Sequence, residues 1–271
     1  MPARLLGELS WVDVHQVAQD TSLVLLPIGA VEQHGPHLPL LVDSIVVEAI
    51  AAEVSALTGV AVAPTLTYSS SQGHSSVFPG TLALSPSTAE RALREISRWL
   101  VNAGFTRLLL LNGHLGNTGV LWNAVDDLIA ELGPRVSIAG HSWWDVDGDV
   151  WSQVTADVPD NRGEFHANQA ETALMLHLRP DLVRMDRARD QQEGSWAFAY
   201  DMSRKSASGA IGRAVTGATA EHGRHLFGQA VGAVSALVRR MLDETPPPAP
   251  GPDIAAWRDA AARRFATTEE D

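Results

Sequence analysis

The chain has 271 residues, 45% of them hydrophobic, with 20 basic side chains against 32 acidic ones, a net charge of −12 and no cysteine. That length holds one large α/β domain or two small ones, and the missing cysteines exclude disulfides and thiolate metal sites. The arginines are scattered, which argues against a nucleic-acid partner. No apolar run nears the ~18–20 residues of a membrane span, and "MPARLLGELSWVDV" lacks the apolar core of a secretory signal, so no membrane partner and a cytoplasmic location are expected.

The first strand is expected at "LVLLP" (Leu23–Pro27). A loop, "IGAVEQHGPHLPLLVDS", follows it and leads into the helical pattern "DSIVVEAIAAEVSALTG", with Gly59 as its C-cap. A second strand, "VAVAP" (Val60–Pro64), precedes a small-residue loop, "SSSQGHSSVFPGT". The helix "SPSTAERALREISRWLVNAG" begins at Ser85 or Ser87, has Pro86 near its first turn and stops at Gly104. The third strand is "RLLLLN" (Arg107–Asn112). It is followed by "NGHLGN", by a helix from Asn117 to Gly133, and by a fourth strand, "RVSIAG" (Arg135–Gly140). The stretch 142–162, with Trp143, Trp144 and Trp151 and five aspartates, has no clean period and reads as a lid or rim. "NQAETALMLHL" and "TAEHGRHLFGQAVGAVSALVRRMLDE" are helical. "TPPPAPGP" (Thr245–Pro252) then breaks helix, leaving a tail whose Trp257 and Phe265 either dock, on this chain or a neighbour, or trail loosely. We expect one α/β domain over 1–244 and a linker with tail over 245–271. Apolar strands alternating with helices predict a mostly parallel sheet covered on both faces.

In such sheets function gathers at the carboxyl ends of strands. Two loops there carry ligand-type side chains. Glu32 and His34, two residues apart, point to one side of an extended backbone. Asp43 arrives in the first helical turn, and His114 sits between Gly113 and Gly116, which permit close backbone approach. Glu171 falls in the first turns of a later helix, with His166 just before its start. Singly, each has an ordinary structural explanation; Asp43, for instance, is a normal helix-start residue. Jointly, Glu32, His34, Asp43, His114 and Glu171 are costly to bury unless they hold something. Oxygen and imidazole donors suit zinc first, then manganese or iron(II). Three carboxylates and two imidazoles hold two divalent ions if one carboxylate bridges, and Asp43 is the expected bridge. Two such ions activate a water for hydrolysis. His74 is either a pocket group or a satisfied loop histidine. Trp143 and Trp144 form either pocket wall or a hydrophobic interface patch. The backbone of Gly113, Gly116 and Asn117, near a helix start, is suited to a substrate oxyanion or carboxylate. His15, His37, His177, His222 and His225 read as structural or surface residues.

In order and spacing, "LPIGAVEQHGPHLPLLVDS", "GHSSVFPGTLAL", "LLLLNGHLGN" and "HANQAETALML" resemble the creatininase family of amidohydrolases. The resemblance runs from about Leu23 to Leu178, with a weaker echo in "ATAEHGRHLFGQAV". It implies a three-layer α/β/α sandwich, a binuclear metal centre, a small-molecule amide substrate and commonly a homohexamer. By position it makes Glu32, His34, Asp43 and His114 ligands, Glu171 the acidic residue of an "HxxxxE" element, and His166 a proton shuttle. One departure matters. Creatinine-opening members resemble "NGHYEN" in the third motif, and here Gly116 replaces that glutamate, so Glu171 is expected to complete the second ion's ligands. Arg162 likewise stands where those members carry an aromatic residue. Creatinine itself is therefore not the expected substrate. The expected reaction is hydrolysis of a C–N amide bond in a cyclic amide, a formamide or a peptide-like compound. A metal-dependent lyase or isomerase and a non-catalytic scaffold subunit remain as alternatives.

Overall fold

The computed structural model describes residues 2–75, 78–157, 165–191 and 200–247. Arg162 and the tail residues Trp257 and Phe265 lie outside them. Five strands form one all-parallel sheet in the order β1-β3-β2-β4-β5. They are β1 (Arg4–Leu5), β2 (Leu23–Ile28), β3 (Ala61–Val62), β4 (Arg107–Asn112) and β5 (Ser137–Ser142). The helices are α1 (Trp11–Thr21), α2 (Val42–Thr58), α3 (Gln72–Ser75), α4 (Pro86–Asn102), α5 (Thr118–Leu132), α6 (Gly148–Val154), α7 (Gln169–Leu178), α8 (Met202–Lys205) and α9 (Ala220–Asp243). No helix among the described residues is long and apolar enough to cross a membrane.

Strand periodicity of two divides the core. Leu23, Leu25, Leu109 and Leu111 face α2, α6, α7 and α9, whereas Val24, Leu26, Leu108 and Leu110 face α1, α4 and α5. This is a three-layer α/β/α sandwich. All eight of these side chains are fully buried, and each contributes about 1.5–3 kcal/mol by leaving water. The second layer is closed by backbone contact: a Cβ at Gly223 of α9 would collide with the carbonyl of Ala173 on α7. That intimacy fixes α7, which carries Glu171.

The elements start and stop where local chemistry dictates. Gly59 caps α2 at φ +78°. Ser85 caps α4 by accepting from the Thr88 amide, with Pro86 in the first turn. Two expectations shift: the second strand shrinks to Ala61–Val62, and the last moves to Ser137–Ser142. A short edge strand, β1, and helix α1, opened by a Ser10–Asp13 capping box, were not anticipated.

From β2 the chain moves outward through α2 to β3, then returns through α4 to β4 on β2's other side. Helices α2 and α5, which follow these two central strands, cover opposite faces. The loops leaving β2 and β4 therefore diverge and open a crevice at the sheet's carboxyl edge, the place where such folds bind ligands.

Candidate metal centre and active site

Three loop systems meet at that crevice. The β2 loop is closed by the Glu32 amide donating to the Leu40 carbonyl at 2.9 Å. A Cβ at Gly29 would lie 2.5 Å from the Ser44 Cα, so the start of α2 docks against the strand end and delivers Asp43. On the β4 loop, Asn112 braces the turn. Its amide donates to the His114 carbonyl at 2.8 Å while its oxygen accepts from the His114 amide at 3.0 Å. Gly113 lets this loop press on α2, since a Cβ there would be 2.7 Å from the Asp43 carbonyl. The third contributor is α7, where Asn168 accepts from the Glu171 amide at 3.1 Å and sets that carboxylate in the first turn. Ala167, at φ +48°, turns the chain sharply between His166 and the helix. A non-glycine residue held there stores strain of about 1–3 kcal/mol, a feature that clusters at functional sites.

The five expected ligands converge. Glu32, Asp43 and His114 bring one donor atom each within 4.8 Å of one another, and so do His34, Asp43 and Glu171. Asp43 belongs to both sets. Its Oδ1 lies 3.3 Å from His34 Nε2, and its Oδ2 lies 3.0 Å from His114 Nδ1. His34 Nδ1–H donates to the Glu32 carbonyl at 3.1 Å, which leaves Nε2 free to ligate. His114 Nε2–H donates to the Ser70 carbonyl at 2.9 Å, which leaves Nδ1. Both Glu32 oxygens, His34 Nε2, Asp43 Oδ2 and Glu171 Oε2 are buried without a hydrogen-bond partner. Orphaned oxygens and imidazole nitrogens aimed at one point suit a hard or borderline divalent cation. A third set, Glu32, His34 and His166, shares the same space.

The electrostatics agree. Burial pushes Glu32 and Glu171 up to about 7. Burial opposes charge on His34 and His114 too, but the surrounding carboxylates, Asp43 foremost for His34 and Glu32 for His114, outweigh it and raise them to about 10 and about 9. Burial would raise Asp43 as well, yet these two imidazoles hold its carboxyl far below the carboxylate range. A cation must displace these protons. Metal binding at pH 7.5 is therefore expected to release about two protons per chain or more, read by calorimetry in buffers of different ionisation enthalpy. All four raised groups stabilise the metal-free fold fully below their ordinary values, and that contribution is lost as pH rises through about 7 and then about 9 to 10. The melting temperatures of chelated and zinc-loaded protein should diverge progressively from pH 6 to 10. A constant gap would contradict the assignment.

A cavity of about 330 Å³ stands over these groups. Its wall includes His74, Gly113, Gly116, Trp144 and His166, and also Ser70, Ser71, Phe165, Met202, Lys205 and Ile211. Two expected substrate contacts fall elsewhere. Trp143 is 2% exposed and packs into the core, 5.4 Å edge-on from Trp144. Trp144, in the same turn after β5, is buried in the same core but also reaches the cavity. Asn117 is a brace: its amide donates to the Gly29 carbonyl at 3.1 Å and its oxygen accepts from the Ser70 amide at 3.3 Å. Gly116 has a steric reason. A Cβ there would strike the His114 ring and come within 2.8 Å of the Ser70 carbonyl. His37 is buried and bonds Thr172 Oγ1 at 2.9 Å, tying the β2 loop to α7. Gln33, Phe165, Met202, Lys205 and Ile211 escaped the sequence reading. A glutamine inside "VEQHG", flanked by two expected ligands, was the one available hint.

Residues 7–238 match the family model described as "Creatininase: Creatinine amidohydrolase". The creatinine amidohydrolase of Pseudomonas putida is 31% identical over 256 residues, covering 89% of this chain and 97% of that one. A mycofactocin precursor peptide peptidase of Mycobacterium ulcerans is 30% identical over 264 residues, covering 92% and 94%. Solved structures described as manganese and zinc–zinc forms of creatininase superpose with a TM-score of 0.78 at 30% identity, covering 89% and 90% of this chain and 100% of theirs.

Proposed function

Because the chain belongs to the creatininase family, we propose that it hydrolyses the C–N bond of an amide other than creatinine, using two divalent ions that share Asp43. That it is a hydrolase of C–N bonds follows from the family; the metal count and the substrate are our reading. One ion would be held by Glu32, Asp43 and His114 and the other by His34, Asp43 and Glu171, with zinc or manganese fitting the donors. The observation that carries this is Asp43's place in both donor sets. Bound there, the ions would polarise the amide carbonyl and acidify a water.

The protein's own groups do the rest. His166 lies with Nδ1 3.3 Å from Glu32 Oε2, and its Nε2–H is engaged by the Gln33 carbonyl at 2.6 Å. Burial first, then the neighbouring His34 and His74, hold it well below the ordinary histidine value. It therefore rests neutral, accepts a proton at Nδ1 from the attacking water and delivers it to the departing nitrogen. The Gly113 and Gly116 backbone forms one wall, and Trp144 and Phe165, 5.6 Å apart, form an apolar one. Lys205 also lines the cavity.

Creatinine is disfavoured because no carboxylate side chain fits at position 116 beside His114. The test is hydrolysis of a panel of cyclic amides, formamides and peptide amides by zinc- or manganese-loaded protein in ¹⁸O-water. One labelled oxygen is expected in the acid product, together with stoichiometric amine. Turnover without label would replace the hydrolase with a lyase or isomerase.

A further inference from the structure

Gln33 is buried between the two ligands Glu32 and His34, and its amide touches three separate loops. Its orientation is set by backbone alone. The Gly35 N–H donates to Oε1 at 3.0 Å, and Nε2–H donates to the Gly209 carbonyl at 3.0 Å. Both glycines have left-handed φ, +65° and +81°, and a Cβ at Gly209 would lie 2.9 Å from the Gln33 Cδ. A side-chain residue at 209 would thus be strained and would push the amide away.

With oxygen and nitrogen so assigned, the contacts to two cavity histidines have one solution. His166 Nε2 lies 2.6 Å from the backbone carbonyl oxygen of Gln33. Two lone pairs cannot face each other at that distance, so Nε2 carries a proton, and in the neutral ring Nδ1 then carries none. Its 3.0 Å approach to Gln33 Nε2 then sets two donors side by side. The second proton of Gln33 Nε2 goes instead to His74 Nδ1, 2.9 Å away. Glu32 Oε1 is the competing neighbour of that nitrogen, but at 3.5 Å it is beyond a normal hydrogen bond. His74 Nδ1 is therefore an acceptor, and its proton sits on Nε2, across the ring from Gln33.

We propose that position 33 fixes the tautomers of both cavity histidines, His166 through its backbone carbonyl and His74 through the Gln33 side-chain amide, leaving His166 a base at Nδ1 and making His74 a hydrogen-bond donor at Nε2 to the substrate's carbonyl oxygen. The proposal rests on the amidohydrolase reading for its consequence but not for its geometry. His74 lines the cavity together with Ser71, Gly73, Phe165 and Ile211. A neutral Nε2–H there stabilises oxygen charge as it develops, which a lone pair in the same place would oppose. One glutamine thereby assigns complementary roles to two identical side chains.

The experiment is long-range ¹H–¹⁵N correlation on zinc-loaded protein carrying ¹⁵N-histidine, with His74 and His166 assigned from single Asn substitutions. Both rings are expected as the Nε2–H tautomer. Gln33→Glu puts an acceptor against His74 Nδ1, so His74 should convert to Nδ1–H. His166 should stay Nε2–H, because its partner is a backbone carbonyl. Zinc content should be unchanged, and kcat should fall about ten- to hundredfold, the usual cost of losing a residue that orients a site, with a smaller change in KM. His74 as Nδ1–H in the unsubstituted protein overturns the proposal, and that spectrum decides it even if Gln33→Glu fails to fold. An unchanged His74 tautomer in folded Gln33→Glu also overturns it. The predicted tautomers in a protein that hydrolyses no amide would support the assignment while removing the amidohydrolase reading, so the two fail separately.

Discussion

Asp43→Asn is expected to leave a folded chain that has lost both ions and lowered kcat/KM by about three orders of magnitude or more. A carboxylate shared by two ions contributes several kcal/mol to stabilising charge in the transition state, and about 4 kcal/mol corresponds to roughly a thousandfold. Asparagine keeps the volume and one acceptor oxygen but removes the charge that both His34 and His114 answer. The fold should survive, because Asp43 sits in the first turn of α2 without capping it; the residue preceding that helix is Leu41, and no side chain closes that end. The informative comparison is with Glu171→Gln. Glu171 belongs to one donor set and Asp43 to two, so elemental analysis should find about one ion retained in Glu171→Gln and none in Asp43→Asn. Equal losses would dismiss Asp43 as the bridge. Retention of both ions in Asp43→Asn would dismiss the centre as drawn.

How much of this was legible in the sequence depends on which physical signal each part obeys. The strands β2 and β4 are buried on both faces, so they read as unbroken apolar runs, and their register, Leu23 opposite Arg107 through Ile28 opposite Asn112, puts both ligand loops at one edge. The convergence of these acids and histidines was legible because buried charge is rarely placed at a strand end without purpose. Helix α1 was not, since only Ala18 of its eleven residues is buried and its apolar face is narrow. The edge strand β1 is two residues long and leaves no periodicity to detect. Trp143 and Trp144 are the same residue type side by side, both buried, and composition cannot say which one also reaches the cavity. Gln33 fails to stand out for a further reason: its significance lies in contacts with residues 41, 133 and 176 positions away along the chain. Tertiary placement alone makes it a link between loops.

The second large effect separates proton transfer from metal binding. His166→Asn is expected to lower kcat by about 10² to 10⁴, the usual contribution of a positioned acid–base group, while both ions stay bound, because the sets built on Asp43 are complete without His166. The loss should depend on the leaving group. An alkylamine must be protonated to depart, whereas a nitroanilide departs nearly unaided, so the variant should lose far less on the anilide than on the alkyl amide. The pH profile gives the same division. His166 is held well below the ordinary histidine value, so it stays a base through the mildly acidic range. The acid limb of the unsubstituted enzyme should therefore report protonation of the ligands, with Glu32 and Glu171 at about 7 when no ion is bound and lower when one is. That limb should persist in His166→Asn and move to lower pH as free zinc is raised. An equal loss on both amides, or an acid limb that vanishes with His166, would reassign the histidine from moving a proton to holding the metal.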